Sequence, residues 1–223
     1  IWIASGESTL SSHHEAESAG GAIVSLLPSA TEILCALGLR DRIVGVSHEC
    51  DYPVSVSQLP RLTASILAHG LSPAEIDQAV LEAGLSQTPL YSVDGQLLTQ
   101  LAPELIVTQG VCAVCAVTEH EIADSLRLVS LEASSSANVL SLRGVDFESV
   151  MMDILAVGEM AGVVGRAESL VADLKRAWAA LPGEDRDGPR VLMMEWTDPP
   201  WLGGHWVPEQ VAAAGGVDIF GTP

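Results

Sequence analysis

A chain of 223 residues with 29 acidic and 10 basic side chains carries a formal charge of −19, which repels nucleic-acid phosphates and anionic lipid headgroups and excludes both as main partners. Apolar residues make up 48% and aromatics only 4%, so the cores must be aliphatic, in one large domain or two small ones. No apolar run is long enough to cross a bilayer, so the chain is not read as an integral membrane protein.

Residues 4–21 are small, polar and unpatterned, and residues 1–21 read as a flexible leader. Residues 23–27 form a short apolar run, as expected of a strand covered on both faces. Pro28 ends that strand, Ser29 or Thr31 is the expected helix cap, Glu32 falls in the first turn, and Gly38 is the stop. A second strand over 43–47 runs into His48, Glu49, Cys50, Asp51, Tyr52 and Pro53, a loop dense in functional groups. Ser72, Pro73 and Glu75 open a helix in capping-box form, expected to stop at Gly84. A strand over 90–93, a short helix capped by Asp94 and a strand over 103–109 follow. Beyond it come an exit loop over 110–115, a helix over 119–126 and strands over 127–131 and 139–142.

From Asp146 to Leu181 the apolar positions recur at helical spacing, with a break placed around Gly162 to Gly165. A polar linker over 182–189 precedes a strand over 191–196, a loop to Pro208, a helix over 209–214 and a strand over 217–220.

Four stretches in series resemble a known family: residues 25–33, residues 45–53, residues 101–109 and the helical span 146–181. They are similar to the substrate-binding proteins of iron-chelate and vitamin B12 ABC importers, most of all to a cobalamin-binding branch. The resemblance implies an α/β fold of two Rossmann-like lobes joined by a long backbone helix, with ligand held between the lobes. Carried over, residues 22–145 are the N-terminal lobe, 146–181 the backbone helix and 188–223 the start of a C-terminal lobe that is incomplete by the family's measure. Two positions that carry aromatics in the cobalamin branch match Glu49 and Gln109 here. The first-lobe acid that docks on a transporter matches Gln96, which is neutral.

In a parallel sheet the loops after strands 23–27, 43–47 and 105–109 share one edge. That edge would gather Pro28, Ser29, His48, Glu49, Cys50, Tyr52, Gln109, Cys112 and Cys115. The second lobe would offer Glu195, Trp196, Trp201, His205, Trp206 and Glu209 from the other side. Three of the five tryptophans lie within residues 196–206, a clustering suited to stacking on a planar ligand. The expected ligand contacts are therefore Pro28, Ser29, Glu49, Cys50, Tyr52, Gln109, Trp196, Trp201, His205 and Trp206. Cys112 and Cys115 have metal-ligand and redox spacing, and with Cys50 they form the candidate metal set, buried structural cysteines being the other reading. Around a cobalt centre Cys50, Cys112 or His205 would lie near the axial face.

No nucleophile with an adjacent base, no phosphate-cradling glycine loop and no Gly-x-Gly-x-x-Gly is present, so the chain is not read as an enzyme. The leading expectation is capture of a corrinoid or other metal chelate, with no covalent cofactor and a bound corrinoid or metal ion as the occupant. Two further readings stay open: a binding-protein fold reused as a subunit of a larger assembly, and a thiol-based metal-binding protein. Family resemblance implies a periplasmic or other extracytoplasmic location and a transporter as partner; residues alone leave organellar and cytoplasmic locations open.

Overall fold

Three residues with no exposed surface, Ile23, Val24 and Ser25, make strand β1 (Ile23–Ser25). β1 lies between β2 (Ile43–Val46) and β5 (Leu105–Gln109), and β6 (Asn138–Leu142) pairs with β5. All three pairings are parallel, in the order β2-β1-β5-β6. The chain is a computed structural model that describes residues 20–86, 88–109 and 137–220. The helix and strand expected over 119–131 lie outside the described residues.

Alternation along the strands divides the core into two. Ile23, Leu105 and Val107 pack with Leu34 and Leu37 and with Ile154 and Val157. Val24 and Ile106 pack with Leu26, Leu62 and Leu98. The sheet is therefore covered on both faces, which explains why residues 23–27 lack a polar alternation.

Helix α1 (Pro28–Ala36) differs at its start from the expected form. Leu27, extended at φ −155°, occupies the cap position with no side-chain cap, and Pro28 opens the first turn, where its missing N–H costs no helical hydrogen bond. Thr31 is buried instead, and its Oγ1 donates to Ser25 Oγ at 2.8 Å. Glu32 falls past the first turn. Gly38 stops the helix as expected: at φ +71° it lets Gly38 N donate to Cys35 O and Leu39 N to Leu34 O.

β3 (Thr63–Ser65) and β4 (Tyr91–Val93) form an antiparallel pair, with α2 (Pro73–Ser86) between them in sequence. Ser72 and Glu75 make the expected capping box, since Glu75 Oε2 accepts from Ser72 N at 2.7 Å while Ser72 Oγ accepts from Glu75 N. The bonds that the Glu75 carboxylate accepts from Ser72 N and from Ser72 Oγ lower its pKa. The helix runs through Gly84 rather than stopping there, since a lone glycine weakens a helix without ending it. Asp94 caps α3 (Gly95–Leu101) through Leu97 N, as expected.

The span 146–181 is helical but divides at 161–163, where Gly162 has φ +75°. α4 (Phe147–Met160) and α5 (Val164–Ala179) fold back on each other. Lys175 Nζ reaches Glu148 Oε1 at 2.7 Å, and the Phe147 and Trp178 rings stack at 4.1 Å. The break expected around Gly162 to Gly165 is present, and the long backbone helix that the resemblance implied is an antiparallel hairpin from whose α5 the link to the second lobe leaves. Asp146 caps α4 in a reciprocal box with Ser149.

In the second lobe β7 (Arg190–Val191) and β10 (Val217–Asp218) pair in parallel, with α6 (Val207–Ala213) preceding β10. The strand expected over 191–196 is split, and the expected loop contains a hairpin of β8 (Met194–Thr197) and β9 (Pro200–Leu202). Asp198 and Pro199 make its tip, and Pro200 is tolerated because the pair has free edges.

Gly158 decides how closely α4 and α5 approach, because an added Cβ would lie 2.3 Å from the Ala167 Cβ. Alanine normally gains about 1 kcal/mol over glycine in a helix, whereas overpacking costs about 1–3 kcal/mol. Gly158→Ala is therefore expected to lower stability by about 1–2 kcal/mol in urea denaturation, the clash outweighing the propensity; an unchanged or higher midpoint would contradict the packing.

Candidate functional site

The parallel register places the ends of β1, β2 and β5 at one edge of the sheet. The turn after β1 and the loop after β2 are held there by a buried hydroxyl network. Thr31 Oγ1 donates to Ser25 Oγ, and Cys50 Sγ lies 3.1 Å from Thr31 Oγ1. Ser25 Oγ donates to Leu27 O at 3.1 Å. Arg61 pins the loop by donating from one guanidinium nitrogen to the carbonyls of Ser47, at 2.9 Å, and Cys50.

Cys50 is fully buried by this arrangement. Burial pushes its thiol pKa up, opposed by the hydrogen bonds from Thr31 and Ser47 and by the Arg61 charge. Cys112 and Cys115, the other members of the expected metal set, lie outside the described residues. Among the described residues no group of three or more His, Cys, Asp and Glu side chains is placed to hold a metal ion.

On the solvent side of the same loop, Glu49 and Tyr52 are exposed. Ser29 is exposed at the head of α1, while Pro28 and Gln109 are half-buried. His48 sits between the two environments. Its backbone N and ring Nδ1 both contact Thr63 Oγ1, at 3.0 and 2.7 Å, and its ring lies 5.7 Å from that of Tyr91. Nε2 is 3.9 Å from Glu49 Oε1. Gln96, the expected docking position, is exposed on α3.

The second-lobe residues meet the first lobe at two helix starts. Trp196 and Trp201 are cross-strand partners in the β8–β9 hairpin. Trp196 Nε1 donates to Pro73 O at 3.0 Å and Trp201 Nε1 to Asp77 Oδ1 at 2.9 Å, so both indoles are tied by their edges to the first turns of α2. Glu209 Oε2 accepts from Phe147 N at 2.7 Å, at the start of α4, where the helix dipole favours a carboxylate. Glu209 thus joins the lobes, and Glu195 accepts from Gly204 N within its own loop. His205 takes a left-handed conformation at φ +52°, with its ring 5.9 Å from that of Trp206, which is 38% exposed. Sequence reasoning missed Arg61, Thr63 and Asp77, and gave Thr31 a capping role in place of its buried bond to Ser25. Only the capping box of α2 marked the neighbourhood of Asp77, and nothing local signals its tryptophan partner.

A parallel sheet carrying polar loops at its carboxyl edge, with a second α/β lobe seated across helices of the first, defines the periplasmic solute-binding-protein fold. Solved relatives carry the same fold: the periplasmic heme-binding protein RhuT from Roseiflexus sp. RS-1 (TM-score 0.61, 20% identity, covering 90% of this chain and 66% of that one), and the periplasmic vitamin B12 binding protein BtuF of Vibrio cholerae (0.58, 21%, 92% and 68%). A third is a possible iron-binding periplasmic solute-binding protein from Staphylococcus epidermidis ATCC 12228 (0.59, 17%, 89% and 66%). In sequence the chain is 26% identical over 156 residues to the uncharacterized ABC transporter substrate-binding lipoprotein YvrC of Bacillus subtilis (strain 168). That match covers 69% of this chain and 38% of the relative, and the chain spans about two thirds of the solved proteins. No family model matches. The resemblance to ABC-importer binding proteins read from the motifs therefore holds in fold, and these neighbours are solute-binding proteins rather than enzymes. Among the described residues no helix is long and apolar enough to cross a membrane.

Two expectations test this geometry. In a double-mutant cycle, Trp201→Phe and Asp77→Ala should couple by about 0.5–1.5 kcal/mol in unfolding free energy, the usual worth of one hydrogen bond; additive effects would show that the indole contact contributes nothing. In the folded protein at mildly alkaline pH, iodoacetamide should leave Cys50 unmodified, with labelling appearing only in denaturant, as read by peptide mass mapping. The raised thiol pKa has a matching sign: the stability held by the neutral thiol is complete below the ordinary thiol range and is lost as pH rises through the higher folded value.

Proposed function

We propose that the chain is the solute-binding component of an importer and that it captures a metal chelate, a corrinoid or an iron chelate, between its two lobes. The observation that carries this reading is the seating of the tryptophan-bearing second lobe on a first lobe whose sheet edge exposes Ser29, Glu49 and Tyr52. Edge hydrogen bonding through Nε1 fixes a tryptophan while leaving its ring for packing against a flat ligand. Trp206 offers exposed aromatic surface in the same segment.

Names of the relatives support the ligand class: one binds heme, one vitamin B12 and one is a possible iron-binding protein. The polar residues Glu49 and Gln109 suit a chelate with hydrogen-bonding side groups. An extracytoplasmic location and delivery to an ABC permease accompany the reading, supported by the lipoprotein relative.

Equilibrium titration with aquocobalamin, cobinamide and ferric haem, followed by absorbance and tryptophan fluorescence, tests the proposal. Saturable binding of at least one is expected. Trp206→Ala should weaken it roughly fivefold, the value of an aromatic contact worth about 1 kcal/mol. Absence of binding for all three at high micromolar protein would sink the chelate reading.

A further inference from the structure

His48 is held in a way that prepares one ring nitrogen for a metal. We infer that Nε2 of His48 is the protein's axial ligand to the metal of the bound chelate, an assignment that rests on the chelate reading above.

The tautomer follows from a chain of hydroxyls. Thr63 Oγ1 donates its single proton to Ser47 Oγ at 3.0 Å, and Thr63 is buried. With that proton engaged, Thr63 Oγ1 can only accept from its two His48 contacts, the backbone N and ring Nδ1. In that arrangement Nδ1 carries a ring proton, and the imidazole in its neutral form presents its lone pair at Nε2. Glu49 Oε1 stands 3.9 Å from Nε2, beyond hydrogen-bond distance, so that lone pair is not consumed. The His48 side chain is 28% exposed and that of Glu49 54%, which leaves this flank open to solvent, while Tyr91 backs the ring.

This is the arrangement metal-binding histidines use: one nitrogen held by a fixed acceptor, the ring oriented and the other nitrogen free. Ser47 continues the support, its Oγ 3.4 Å from Glu49 N. Cys50, by contrast, has its thiol on Thr31 in the interior.

The chemistry selects the ligand. Imidazole nitrogen suits iron and nickel, between which cobalt falls in the affinity order, and Nε2 bonds a metal by displacing an exchangeable axial water, with no proton moved. Planar tetrapyrroles with such a position, ferric porphyrins and aquo-cobalt corrinoids, gain the bond. Chelates whose coordination sphere is filled by their own donors do not. Glu49 then sets a carboxylate beside the cationic centre.

Ferric haem and metal-free protoporphyrin are added separately to the intact wild-type protein and to His48→Ala, with circular dichroism confirming the fold. Wild type should bind haem with the red-shifted absorption of nitrogen ligation. His48→Ala should bind without that shift, imidazole should restore it, and protoporphyrin should bind both proteins alike. Thr63→Val should keep the shift but bind haem roughly ten- to a hundredfold more weakly, as loss of a supporting partner does. Identical haem spectra for wild type and His48→Ala would overturn the assignment while leaving the chelate reading intact. If wild type takes up neither haem nor protoporphyrin nor aquocobinamide, the chelate reading fails and the assignment with it.

Discussion

Burial of β1 between β2 and β5 is the constraint on which the rest of the structure depends. Its three residues are shielded on both faces and paired on both edges. A strand in that position cannot slip by one residue without moving Ile23 and Val24 to opposite cores. The fixed register brings the exits of β1, β2 and β5 to one edge, and the hydroxyls of Ser25 and Thr31 lock the first exit to the second through Cys50. The sheet edge is thus rigid beneath and polar above, the separation that a binding surface needs.

Local signals were legible wherever a short-range physical rule governs. The apolar run before Pro28, the left-handed Gly38, the Ser72–Glu75 box and the caps at Asp94 and Asp146 all act within a few residues, and the structure contains each. Thr31 was misread because a threonine near a helix start suits a cap, whereas burial turned it to Ser25. In the span 146–181 the glycines at 162 and 165 marked the break, but nothing local told whether the chain carried on as a rod or folded back as a hairpin. The β8–β9 hairpin was hidden by Pro199 and Pro200, which read as loop residues. Partnerships across the chain carried no local trace: Trp196 and Trp201 find acceptors more than a hundred residues away. The grouping of first-lobe residues at one edge followed from parallel topology, while the side-chain roles within that edge depended on tertiary contacts.

The two lobes are joined by chemistry suited to helix starts. At α4 an acidic side chain meets exposed N–H groups and the positive end of the dipole. At α2 the donors come from the second lobe and the acceptors from the first. The acidic residues at these contacts, Asp77 and Glu209, are thereby structural. The ring stack of Phe147 on Trp178 stiffens the hairpin from which the second lobe departs.

One detail of this seating bears on which positions can change without disturbing it. At each helix start one contact has a main-chain side, the carbonyl of Pro73 and the amide of Phe147, while Trp201 and Asp77 meet side chain to side chain. Main-chain groups survive most substitutions, so the side chain at position 73 can change while its carbonyl still accepts, whereas Phe147 is also held by its ring stack on Trp178. Side chains along the sheet edge, such as Ser29, Glu49 and Tyr52, take no part in these contacts, so changes there leave the pose of the lobes untouched.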